Sequence, residues 1–234
     1  NFEREKIDAA IAVLVAAGYR VICPASADGS SRPLCCGRTF LSAGLVDEAR
    51  AEVARSLAAL APYAARGAPV IGLEPSCLLT FRDEATAMRL GAAAATVARH
   101  AVLFEEFIAA ERDAGRFELA LRPVAARALL HGHCHQKSFA AMGAIEKTLR
   151  LVPGLEVETI ESSCCGMAGA FGYQRETYDI SLKMAEAALL PAVRAADAAT
   201  LVVADGFSCR CQISHGAKRE ALHVAQVLQR ALPA

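Results

Sequence analysis

The tripeptide Cys-Cys-Gly occurs twice in the chain, as Cys35-Cys36-Gly37 and as Cys164-Cys165-Gly166, and each copy is followed by a Ser-Cys at a similar interval. Forty residues separate Cys36 from Cys77, and 43 separate Cys165 from Cys209. Around both copies, short β-branched runs alternate with Ala/Leu-rich helical stretches, the signature of parallel βαβ units. A strand, Cys-Cys-Gly, helix, strand, Ser-Cys unit used twice predicts an α/β fold of two similar modules. Each module is expected to be a small parallel sheet flanked by helices, over residues 1–120 and 121–234. The stretch from Gly115 to Ala126, broken by Pro123, reads as the link.

Within the first module the pattern predicts a helix over Arg4–Ala17 closed by Gly18, a strand over Tyr19–Cys23, a helix over Val46–Arg66 and a strand over Val70–Leu73. Within the second it predicts strands at Ala128–Leu130, Leu155–Ile160 and Thr200–Ala204. Helices are expected between them at Lys137–Leu151 and Asp179–Ala195. Alanine fills 51 of 234 positions, which favours helix. Lys+Arg and Asp+Glu number 25 each, so the chain lacks the basic balance of a nucleic-acid binder. No apolar run approaches the length of a membrane span. The chain enters a helical pattern directly from Asn1, as expected of a piece of a longer polypeptide.

Nine cysteines is an odd number, and no charged-then-apolar signal segment precedes them. Metal binding or redox chemistry is therefore a better expectation than a disulfide scaffold. Loops at the carboxyl ends of parallel strands gather at one sheet edge, where ligands bind. Cys134, the Cys164-Cys165 pair and Cys209 each end a predicted strand, so four sulfurs can converge. Four thiolates suit a structural zinc or an iron–sulfur cluster. Adjacent cysteines reach different irons of a cluster more readily than one tetrahedral ion. The first module offers only Cys35, Cys36 and Cys77. Cys23 reads as a bystander thiol, and so does Cys211.

The strings Arg32-Pro33-Leu34-Cys35-Cys36-Gly37-Arg38, His131-Gly132-His133-Cys134-His135-Gln136-Lys137 and Ser162-Ser163-Cys164-Cys165-Gly166-Met167-Ala168-Gly169 resemble the cysteine-rich CCG domain. That domain occurs in the B subunit of heterodisulfide reductase and in the iron–sulfur subunit of glycolate oxidase. The resemblance is stronger to the C-terminal region of FAD-linked oxidases with an iron–sulfur part, of the D-2-hydroxyglutarate and D-lactate dehydrogenase type. It implies a cluster, of [4Fe-4S] type, on Cys134, Cys164, Cys165 and Cys209, with Cys35, Cys36 and Cys77 as a degenerate first ligand set. The family's late Cys-x-x-Cys is reduced here to Glu74-x-x-Cys77 and Gly206-x-x-Cys209. The resemblance places FAD on a region outside these residues, as partner domain in the same polypeptide or complex. It implies electron transfer from a 2-hydroxy acid to an external acceptor, in the cytoplasm or peripheral to the inner membrane.

His131, His133 and His135 alternate with Cys134, and an extended backbone would put the three rings on one face. His135 is the candidate for a catalytic, proton-carrying role. Arg38 and Lys137 neighbour the cysteine motifs, where they could neutralise an anionic centre. Glu105, Glu106, Glu111, Arg112 and Asp113 read as a solvated helix face. Two other readings stay open: a zinc-stapled structural or docking module without redox role, and thiol–disulfide chemistry at a vicinal pair, which strain disfavours.

Overall fold

The computed structural model describes residues 3–233. In chain order its elements are α1 (Arg4–Ala16), α2 (Arg38–Ser42), α3 (Val46–Ala64), β1 (Val70–Gly72), α4 (Pro75–Arg82), α5 (Glu84–Ala87), α6 (Ala92–His100), β2 (Ala101–Leu103) and α7 (Phe104–Asp113). There follow β3 (Ala126–Leu130), α8 (Cys134–Ser138), α9 (Met142–Leu149), β4 (Leu155–Thr159), α10 (Tyr178–Glu186), α11 (Leu189–Ala195), β5 (Leu201–Val203), α12 (Phe207–Ala217) and α13 (Val224–Arg230). The chain forms two compact units, one over residues 21–104 and the other over 3–20 and 105–233. Helix α1 thus belongs with the C-terminal unit, and the first unit ends at Phe104. Among the described residues no helix is long and apolar enough to cross a membrane.

In the first unit, β1 and β2 pair in parallel with Ile71 opposite Val102, α3 packs on α6, and α4 lies against β2. Strand β2 escaped the sequence pattern because α6 and α7 abut it without turn residues. The expected strand at Tyr19–Cys23 does not form. Pro24 supplies no ladder N–H, Ile22 is exposed, and Tyr19 turns to the C-terminal unit, where its hydroxyl donates to Glu111 Oε2 at 2.9 Å.

The second unit is built on a three-stranded parallel sheet in the order β4-β3-β5. Ala128 faces both Val157 and Leu201, and β3, the middle strand, is buried from Ala128 to Leu130. Two expected helices are interrupted. Ala140, at φ 55°, separates α8 from α9. Pro191 in α11 cannot donate to residue 187 and crowds its carbonyl, so α10 ends at Glu186. The expected linker is also a packed strap: Phe117 is buried, Arg122 N–H donates to Ala231 O at 2.7 Å, and Val124 N–H donates to Pro153 O at 2.8 Å.

Candidate metal centre

Three strand ends of the second sheet deliver the chemistry. Cys134 is the first residue of α8 after β3, Cys164-Cys165 follow β4, and Cys209 is the third residue of α12 after β5. Cys134 interacts with Cys164, Cys165 interacts with both Cys164 and Cys209, and all four sulfurs are linked in one chain of contacts. Cys165 and Cys209 are buried in the apolar core with Leu129, Ile160, Val202 and Ile213, whereas Cys134 and Cys164 are half-buried.

The Cys-Cys-Gly loop points backbone N–H groups at sulfur. Gly166 N–H donates to Cys164 Sγ at 3.3 Å, Ala168 N–H also reaches Cys164, and Met167 N–H reaches Cys165. Gly166 has φ 89°, and a Cβ there would lie 2.1 Å from Ser181 O, so only glycine fits. Donation from Cys134 and Cys165, reinforced by these N–H groups, holds the Cys164 thiol down at about 2. The neighbouring Cys164 sulfur, followed by burial, pushes Cys134 far above the ordinary thiol range, and the Cys164 and Cys209 sulfurs, followed by burial, do the same to Cys165. Crowded together, the sulfurs oppose one another's ionisation. A cation would remove that conflict, because four adjacent thiolates need a positive partner.

The three histidines separate. The helix begins at Cys134, which ends the expected alternation. His131 is fully buried, and one of its ring nitrogens lies with Cys165 and Cys209 Sγ in a set of three atoms all within 4.8 Å of one another. His133 caps α8, its Nδ1 accepting the His135 N–H at 3.1 Å, and stacks on His135 with centroids 5.1 Å apart. His135 Nδ1 stands 3.7 Å from Cys134 Sγ. The His133 ring also fills the space at Gly206, where a Cβ would meet its Cδ2 at 2.3 Å. Cys211 lies apart from the four sulfurs' bonds and pairs with Tyr173.

Several supporting groups were not legible as such. Lys137 donates to Ser162 O and, at 2.9 Å, to Ser163 O, clamping the approach to Cys164. Arg210 is buried and binds Ala204 O, Asp205 O and Glu3. Glu105 is not part of a solvated face: it is buried, and Gln136 Nε2 donates to its Oε1 at 2.6 Å and to Asp205 Oδ2 at 3.0 Å. Burial, with the Asp205 charge second, raises the Glu105 carboxyl well above its ordinary value. Gln136 Oε1 in turn accepts the His133 N–H at 2.9 Å. The visible signal was the His-x-x-Gln spacing, a capping box repeated at His223 and Gln226.

The first unit repeats the loop with fewer donors. Gly37, at φ 75°, donates its N–H to Cys35 Sγ at 3.4 Å, and Cys77 is the third residue of α4, as Cys209 is of α12. Cys35, Cys36 and Cys77 form a line of contacts. Donation from Cys35 draws Cys36 down, but the Cys77 sulfur and burial outweigh it and leave Cys36 at about 12. Arg38 binds Thr80 Oγ1 at 3.0 Å, Ser76 O and Glu84, fastening this loop to α4. Cys23 is exposed.

Residues 128–214 match the CCG cysteine-rich domain. The CCG match contains Cys134, Cys164, Cys165 and Cys209 and excludes Cys35, Cys36 and Cys77. Over 205 residues the chain is 28% identical to the C subunit of the anaerobic glycerol-3-phosphate dehydrogenase of Escherichia coli K12, covering 86% of this chain and 50% of that protein. Over 168 residues it is 26% identical to the D-2-hydroxyglutarate dehydrogenase of Escherichia coli K12, covering 69% of this chain and 15% of that protein. The chain thus spans about half the length, or less, of the curated relatives it matches.

Proposed function

We propose that Cys134, Cys164, Cys165 and Cys209 hold an iron–sulfur centre, and that the chain is the electron-transfer part of a flavin dehydrogenase of the 2-hydroxy-acid type. The observation that carries this reading is the meeting of four sulfurs, three strand ends apart in sequence, beneath backbone N–H groups aimed at them. Those donors fit the group: thiolates are its ligands, and N–H bonds to sulfur are a main means of setting its potential. Bound there, the centre supplies one-electron storage between a two-electron donor and an acceptor.

The chain's own residues do the rest. Core burial of Cys165 and Cys209 keeps water from the inner side, while half-buried Cys134 and Cys164 face the side by which electrons enter or leave. Loading requires thiol protons to depart. His135, beside Cys134 Sγ, is the residue we assign to accept one. The two relatives are named for different substrates although both match this chain. That favours placing substrate choice and FAD on a partner domain or subunit, in the cytoplasm or at the face of the inner membrane. Cys35, Cys36 and Cys77 are proposed as a weaker, incomplete ligand set.

A second reading, one structural zinc, draws on the direct contact between neighbouring thiols, since Zn–S bonds of about 2.3 Å hold four sulfurs close together. Anaerobic reconstitution with iron and sulfide separates the two. Visible absorbance, bound iron with sulfide and an EPR signal on reduction are expected. A colourless chain with one zinc and no iron overturns the electron-transfer reading.

A further inference from the structure

Among the described residues, only two buried side-chain nitrogen or oxygen atoms lack a hydrogen-bond partner: Arg55 Nε and His131 Nε2. The second belongs to a residue of the candidate centre. His131 is wholly buried, and its backbone N–H donates to Val203 O at 2.8 Å, so the residue continues the β3–β5 ladder and its position is rigid. Its Nδ1 lies 2.9 Å from Ser162 Oγ. Ser162 Oγ also lies 3.5 Å from Ile160 O. A ring that donates to the Ser162 oxygen carries its proton on Nδ1 and leaves the Nε2 lone pair bare. Burying such an acceptor without a partner costs about 1–3 kcal/mol. A ring N–H tied to an oxygen, with the opposite nitrogen aimed at a donor cluster, is how proteins orient a metal-binding histidine.

We propose that His131 is a ligand of the centre, its Nε2 joining Cys165 and Cys209 on the buried side to give a mixed sulfur–imidazole donor set. This rests on the reading that the four cysteines bind a metal. A neutral imidazole adds a donor without adding negative charge, and replacing thiolate by imidazole raises a cluster's potential. The centre would then be asymmetric, with a sulfur-only outer side at Cys134 and Cys164 and a nitrogen-bearing inner side.

X-ray absorption at the edge of whichever metal the full 234-residue chain takes up tests this without any mutation. The expected result is a sulfur shell with one nitrogen and imidazole scattering beyond it. His131→Ala should lose that scattering, and Ser162→Ala should keep it while weakening metal retention against a chelator about ten-fold. Metal bound in a sulfur-only shell, or imidazole scattering that survives His131→Ala, overturns the proposal and leaves the four-cysteine reading standing. A chain that takes up neither iron nor zinc overturns both.

Discussion

The two Cys-Cys-Gly loops share backbone and differ in what converges on them. In each, a left-handed glycine donates its N–H to the first sulfur, and a later cysteine sits at the third residue of a helix that follows a strand. The loop at Gly166 receives a fourth sulfur from Cys134, a buried imidazole from His131 and two further N–H groups. The loop at Gly37 gathers three sulfurs, one further N–H group, from Arg38 to Cys36, and a clamp from the Arg38 side chain. The repeat therefore specifies a sulfur-lined turn, and the surrounding strand ends decide how many further donors that turn gathers.

The glycines offer the largest test of this contrast. Gly166→Ala combines a left-handed backbone with a Cβ 2.1 Å from Ser181 O. It should cost about 3 kcal/mol or more of unfolding stability and abolish metal uptake, read by denaturant unfolding and metal analysis. Gly37→Ala meets Ala49 O at 2.8 Å and should cost about 2 kcal/mol while sparing uptake. Equal loss of metal in both variants would break the distinction.

Acid–base behaviour should also divide the units. Burial raises the Glu105 carboxyl, so its protonated form is favoured in the folded chain. Its contribution is complete below the ordinary carboxyl range and lost as pH rises through the folded value. Glu105→Gln should remove that loss, melting above the parent at pH 8 and not at pH 5. Glu52, also buried, is held below its ordinary value because Arg55 and Arg32 together outweigh desolvation. Its stabilisation is present at neutral pH and lost as pH falls, so Glu52→Gln should be destabilising at pH 7 and less so at pH 3. Thermal melts across pH read both.

The clamps come next. Lys137→Ala removes two bonds to the Ser162 and Ser163 carbonyls and should cost about 1–2 kcal/mol together with faster metal release to a chelator. Arg38→Ala should cost a similar amount and leave release unchanged. The smallest effect expected is for Ser56→Ala, whose hydroxyl donates to Cys35 O at 2.7 Å: about 1 kcal/mol, with no change in metal content.

The α/β class, the parallel strands and the repeated turn were legible because they rest on local pattern: β-branched runs, Cys-Cys-Gly and Ser-Cys at matched intervals. What tertiary contact decides was not. Glu105 carries a charge on a helical stretch and reads as solvated, but α7 starts directly from β2, which brings its first turn into the interior. His131 looks like its neighbours in the sequence and differs from them only because the helix begins at Cys134. Tyr19–Cys23 has strand composition without a sheet to join. The helix break before Pro191 was written in the sequence, four residues ahead of the proline.

The central claim is that the second sulfur set, and not the first, is the metal centre. Iron and sulfide per chain, measured after anaerobic reconstitution of Cys209→Ser beside Cys77→Ser, tests it most directly. The account predicts that Cys209→Ser loses most of the bound iron with its visible absorbance while Cys77→Ser keeps the parent's content. Iron retained in Cys209→Ser, or lost equally in both, would contradict it.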